Sequence, residues 1–191
     1  MLTFSEGEFL VKLSRKSIEE YFATKKIPRP PKDTPQKLFE KSGVFVTLET
    51  FPERHLRGCI GYPEPMKPLV EATIDSAINA AFNDPRFFSL EHEELDKVTI
   101  EVNVLTQPEL IKVSSPKEYP RKIEIGRHGL IIEHGFYRGL LLPIVAVQYK
   151  WDAEEFLIET CHKAGLTSDM WLDPRTKIYR FESQVFAEIS P

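Results

Sequence analysis

The sequence predicts an α+β fold, a mixed or antiparallel sheet with packed helices. Three observations carry this. Segments of period-two alternation and segments of helical spacing are interspersed, without the strand–helix–strand repetition of a doubly wound sheet. At 191 residues the chain can bury about 70% of its extended surface, enough for a core without disulfides or metals. A composition 41% hydrophobic and 28% charged excludes both a disordered chain and a membrane-embedded one. One domain over residues 1–191 is expected, with a small sub-lobe around 107–128, where prolines cluster.

The elements follow in order. Phe9, Leu10, Leu13, Ile18 and Tyr21 recur at helical spacing, with Lys and Glu on the other face and Ser5 as the expected cap. This helix should end near Lys25–Lys26, because prolines at 28, 30, 31 and 35 deny helix and ladder hydrogen bonds. Val44, Val46 and Leu48 alternate with Phe45, Thr47 and Glu49, and 55–60 follows after a break at Phe51–Pro52, as in a hairpin. Pro68 opens a helix over 68–83, with Glu71, Asp75 and Asn79 as its polar stripe, and Asp84–Pro85 stops it. Val98, Ile100, Val102 and Val104 alternate with Thr99, Glu101 and Asn103, which predicts a half-buried strand. Residues 129–134 and 138–147 read as two further strands, with Pro143 putting the second at an edge or bulge. Asp152 and Glu155 start a helix that ends at Gly165, and a strand near 177–188 closes the chain.

Several function classes carry no signal. A net charge of −4 gives no overall pull toward nucleic acid or anionic lipid. The basic run Lys12, Arg15, Lys16, Lys25, Lys26 and Arg29 is interrupted by Glu19 and Glu20 and reads as a solvated helix face. Acids occur early at the N-terminus and no apolar run reaches membrane-spanning length, so a cytoplasmic location is expected. The two cysteines, Cys59 and Cys161, exclude a disulfide scaffold by count, and no CxxC, HxH or HExxH spacing points to a metal. Neither GxSxG nor the glycine patterns of nucleotide loops are present.

Chemistry concentrates in His55–Gly61. On a regular strand His55, Arg57 and Cys59 share a face, and a guanidinium near the thiol favours the thiolate. Cys59 is the candidate nucleophile, Arg57 its electrostatic partner, and Gly58 and Gly61 leave room for a ligand. The plainer reading is a small cysteine packed in a crowded strand. Arg86, after Asp84–Pro85, has the fork to bind carboxylate or phosphate, or else forms a structural clamp with Asp84. His128, in the turn Gly126–Gly129, is a candidate proton carrier alongside His55, and Arg138 a second substrate anchor. Cys161 falls on the apolar stripe of its helix with Leu157 and Ala164 and reads as a core thiol, while His162 lies on the solvated side.

LRGCIG at 56–61 resembles the signature of the AMMECR-one domain family. FNDPRF at 82–87, IGRHGLII at 125–132, RGLLLP at 138–143 and CHKAGL at 161–166 followed by Trp171 match in the same order. Ile144–Val145 stand where many relatives have a glutamine. The resemblance implies an α+β architecture with a larger and a smaller lobe around a cleft that holds LRGCIG. It assigns no reaction and no cofactor. Prokaryotic members of that family are often encoded beside, or fused to, MEMO-like and radical S-adenosylmethionine proteins, so the resemblance implies a place in a modification pathway acting on RNA or a small metabolite. Older ideas for such proteins invoke transcription, replication, repair or translation. Three readings remain open: an enzyme centred on Cys59, a non-catalytic ligand- or protein-binding module, and a nucleic-acid-associated protein.

Overall fold

The first helix is capped by Thr3 rather than Ser5, because Thr3 and Glu6 satisfy each other's amides. Thr3 Oγ1 accepts from the Glu6 amide at 3.3 Å, and the Glu6 carboxylate accepts from the Thr3 amide at 2.7 Å. The computed structural model describes residues 1–191. Its helices are α1 (Phe4–Thr24), α2 (Leu69–Phe82), α3 (Pro143–Tyr149) and α4 (Ala153–Lys163). Its strands are β1 (Gly43–Thr50), β2 (Leu56–Tyr62), β3 (Val98–Leu105), β4 (Glu109–Leu110), β5 (Gly129–His134), β6 (Tyr137–Leu141), β7 (Lys177–Phe181) and β8 (Ser183–Ala187).

The chain divides into two compact units, one of Met1–Leu105 with Gln184–Pro191, the other Thr106–Ser183. The excursion at 107–128 is one part of the second unit, which runs on to Ser183.

In the first unit the strands lie in the order β2-β1-β3-β8, with β1 antiparallel to both β2 and β3. Alternation does what period two dictates. Val44, Val46, Leu48, Ile100 and Val102 are fully buried in one core with Leu10 and Ile18 of α1 and Ile74 and Ala77 of α2. Each such aliphatic side chain contributes about 1.5–3 kcal/mol by leaving water. β3 departs from the half-buried expectation: Thr99 and Asn103, on its other face, are buried too. It is an interior strand, flanked by β1 and β8.

In the second unit the order is β4-β7-β5-β6, antiparallel at β4–β7, β5–β7 and β5–β6. Phe156, Leu157 and Cys161 of α4 bury against Leu130, Ile132 and Ile178. Asp152 and Glu155 cap α4 reciprocally, as their spacing predicts.

Two expectations are corrected here. Residues 138–147 are not one strand. β6 ends at Leu141 and Pro143 opens α3, where its missing N–H would be unpaired in any case and its fixed φ suits the first helical turn. Residues 177–188 are two strands in different sheets, separated at Glu182. The Glu182 carbonyl accepts from the Thr106 amide at 2.9 Å and its amide donates to Thr106 Oγ1 at 2.8 Å, so those groups are paired outside both ladders. No helix is long and apolar enough to cross a membrane.

Candidate functional site

The face of the first sheet opposite its aliphatic core carries the polar members of each alternating pair. In register, Thr47 lies opposite Cys59 on one side and opposite Glu101 on the other, so Cys59, Thr47 and Glu101 form a row across β2, β1 and β3. The adjacent row is Gly61, Phe45 and Asn103. Thr47 Oγ1 donates to Cys59 Sγ at 3.3 Å.

β2 is an edge strand, so backbone groups on its outer side need partners. At Cys59 both are supplied by the turn after α2. The amide donates to Asp84 Oδ2 at 2.8 Å, and the carbonyl accepts from Arg86 Nη2 at 3.1 Å. Asp84 also accepts from the Arg86 backbone amide at 3.1 Å, from its Nε at 2.9 Å and from its Nη2 at 2.7 Å. Its side chain is 1% exposed, while that of Arg86 is 53% exposed. The Arg86 guanidinium holds the Asp84 carboxyl well below the usual carboxylate range, helped by the two amides and opposed by burial. Asp84 and Arg86 thus form a clamp on the backbone of Cys59. Since the outer groups of Cys59 face the clamp, Cys59 and Thr47 are a non-hydrogen-bonded pair, the closer type, which explains their side-chain contact.

Arg57 is not beside the thiol. The register slips between Leu48 and Glu49, so β2 bulges at Arg57 and strict alternation fails. Arg57 instead makes a bidentate pair with Glu94, at 2.9 Å on both Nε and Nη2, and donates to the Phe88 carbonyl at 3.0 Å. It pulls the Glu94 carboxyl below its ordinary range. The guanidinium that reaches Cys59 is that of Arg86. His55 precedes β2, is exposed, and does not share the face of Cys59 by strand alternation.

The glycines of LRGCIG admit protein rather than leaving a void. A Cβ on Gly58 would stand 2.1 Å from the Ala80 carbonyl oxygen of α2, so the helix rests on the strand there. A Cβ on Gly61 would stand 2.2 Å from the Val44 carbonyl oxygen.

His128 and Arg138 belong to the second unit. His128 is buried, and its Nδ1 accepts from the Glu124 amide at 2.9 Å, which assigns the proton of the neutral ring to Nε2. Burial, then Arg180 and Arg127, lower its pKa. Arg138 pairs with Glu133 at 3.1 Å. Cys161 is fully buried, and burial pushes its thiol up to about 11, as befits a core cysteine. Both cysteines are free. His162 pairs with Glu159 at 3.4 Å on an exposed face.

Sequence reasoning missed Thr47, Glu101, Asn103 and Glu94. Alternation in β1 and β3 marked the first three as polar-face residues. What it lacked was the register that brings two of them into the row of Cys59. Glu101 makes no hydrogen bond or ion pair; burial, then Glu49, raise its pKa, with Arg54 opposing. No three or more His, Cys, Asp or Glu side chains converge as a metal set.

The family model AMMECR1 matches residues 11–186. A protein of Thermococcus gammatolerans is 58% identical over 188 residues, covering 97% of this chain and 91% of its own. Protein MJ0810 of Methanocaldococcus jannaschii is 56% identical over 191 residues, covering 100% of this chain and 94% of its own. The crystal structure of uncharacterized protein PH0010 from Pyrococcus horikoshii matches with a TM-score of 0.87 at 57% identity, over 98% of this chain and 93% of that one. None of these names carries an activity.

Proposed function

This chain belongs to the AMMECR1 family, and from that premise we propose that it is a thiol-dependent component of a modification pathway, with Cys59 as the reacting group. One observation carries the reading: the Asp84–Arg86 clamp fixes both backbone groups of Cys59, while the residue stays partly exposed and its thiol accepts from the Thr47 hydroxyl. A cysteine needed only for packing, such as Cys161, is simply enclosed. Precise backbone placement beside an accessible side chain is what a reactive group requires.

The test is alkylation of the native protein by iodoacetamide, with sites assigned by mass spectrometry. Cys59 should react at least tenfold faster in the fold than in the unfolded chain. A native rate at or below the unfolded rate sinks the reading.

A second reading, a binding module without turnover, is favoured by Arg57 being held by Glu94 rather than placed at the thiol. It predicts that Cys59→Ser leaves ligand or partner binding intact. By kinship, the partners in either reading are MEMO-like or radical S-adenosylmethionine proteins in the cytoplasm. Co-purification of tagged protein from its own cells tests this.

A further inference from the structure

We propose that the sheet face beside Cys59 receives a cationic nitrogen group of the substrate, an ammonium or guanidinium, with Glu101 and Asn103 Oδ1 as its acceptors. The proposal rests on the reading of Cys59 as the reacting thiol and names the chemistry of what comes to it.

The charges of this neighbourhood pair off until one remains. Arg86 is held by Asp84 and Arg57 by Glu94. Arg54 is held by Glu49 at 2.6 Å. Glu101 is left with no hydrogen bond or ion pair, although it lies half-buried on an interior strand. Burial first, then the charge of Glu49, raise its pKa, with Arg54, which is paired to Glu49, opposing.

Asn103 is the independent observation. It is two residues further along β3 on the same face, 8% exposed, and its Oδ1 is buried without any hydrogen-bond partner. Native structures rarely leave such an acceptor unpaired, and each exception calls for an account. One buried acceptor without a partner and one carboxylate without an ion pair stand at positions about 7 Å apart along one strand. An N–H-bearing group satisfies both, and the charge of Glu101 selects a cation over a neutral amide. Phe45, directly opposite Asn103, adds an aromatic side chain of the kind that attracts cations.

The row geometry sets the distance to the chemistry. Cys59 and Glu101 are two strands apart through Thr47, about 10 Å at the usual strand spacing. The substrate therefore carries its cationic end a few bonds from the atom that meets the thiol.

Two measurements test this. The first compares Cys59 modification by three methanethiosulfonates, the cationic 2-aminoethyl, the anionic 2-sulfonatoethyl and the neutral methyl reagent. In each case the thiol displaces methanesulfinate and forms a mixed disulfide. The cationic-to-anionic rate ratio should exceed that of the unfolded chain at least tenfold, and Glu101→Gln should bring it back toward the unfolded value. A ratio equal to the unfolded one, or unchanged in Glu101→Gln, overturns the anchor.

The second follows thermal stability during titration with butylammonium, butylguanidinium and butanol at constant ionic strength. One of the cations should stabilise the protein saturably and butanol should not. Glu101→Gln and Asn103→Ala should each weaken that binding at least fivefold, Glu101→Gln deciding the matter if Asn103→Ala folds poorly. Which cation wins identifies the source as an amine or a guanidine; saturation by neither overturns the proposal. A Cys59 unreactive to all three reagents sinks the thiol reading alone, because the titration still decides the anchor. A reactive Cys59 without charge preference sinks the anchor alone.

Discussion

Asp84 and Arg86 form a pair in which the carboxylate is buried and the guanidinium is not, and this asymmetry predicts an inverted order of damage. Asp84→Ala strands the Cys59 amide, which now donates to Asp84 at 2.8 Å. An unsatisfied buried donor costs about 1–3 kcal/mol. The freed Arg86, 53% exposed, returns to water at little cost. The expected loss is about 2 kcal/mol, a fall in Tm of about 4–8 °C for a chain of this size. Arg86→Ala is worse, since it leaves a carboxylate 1% exposed without its cation, for about 3–5 kcal/mol. The double variant should then be more stable than Arg86→Ala alone, because no charge is stranded.

The pH dependence has a definite sign. The Asp84 carboxyl is held low in the fold by Arg86 first, so its contribution is fully present above its unfolded pKa of about 3.9 and is lost as pH falls below it. Wild-type stability should decline through that acid range, and Asp84→Ala should decline less. Urea unfolding at several pH values measures all of this through the midpoint, provided the slope is unchanged. A double variant whose loss equals the sum of the two single losses would refute the buried-charge reasoning.

Gly58→Ala should destabilise by about 3 kcal/mol or more, because its Cβ would meet the Ala80 carbonyl oxygen at 2.1 Å and helix or strand must shift; a Tm within 2 °C of wild type would contradict this. Cys161, fully buried with its thiol pushed up to about 11, should resist Ellman's reagent at about pH 8 until urea unfolds the chain; prompt native reaction of Cys161 would show the second core to be open. Glu101→Gln should stabilise the protein at neutral pH. The raised pKa means that ionised Glu101 opposes folding above that value, so the gain should shrink as pH falls through it and vanish below about 4.3, the ordinary unfolded value. A stability difference independent of pH, read from urea midpoints, would count against it.

Most elements were legible because local rules determine them. Asp152 and Glu155 cap α4 by their spacing alone, and Val44–Leu48 and Val98–Val104 alternate with period two because strand side chains must. The failures are places where two local readings compete. Arg138–Val147 is apolar enough for a strand throughout, but Pro143 suits the first turn of a helix equally well, and packing around Ala146 favours the helix. Lys177–Ala187 reads as one strand because nothing local announces that its halves join different sheets. At the candidate site, residue type marks Cys59, Asp84 and Arg86, and a structural clamp is one of the two roles that the last two admit. Alternation alone puts Arg57 beside the thiol; the bulge at Arg57 breaks that alternation, and Gly58, which follows it directly, reads equally well as room for a ligand.

The sequence by itself determined the α+β class, the hairpin that carries LRGCIG, the core character of Cys161 and the family, since these follow from periodicity, capping and ordered motifs along the chain. Only the tertiary structure decided which guanidinium reaches Cys59, that Gly58 gives way to a helix, and that Thr47 and Glu101 stand in the row of the thiol. Those facts depend on strand register and on approach between segments far apart in sequence. Register is a relation between strands, and no single strand's own residues contain it.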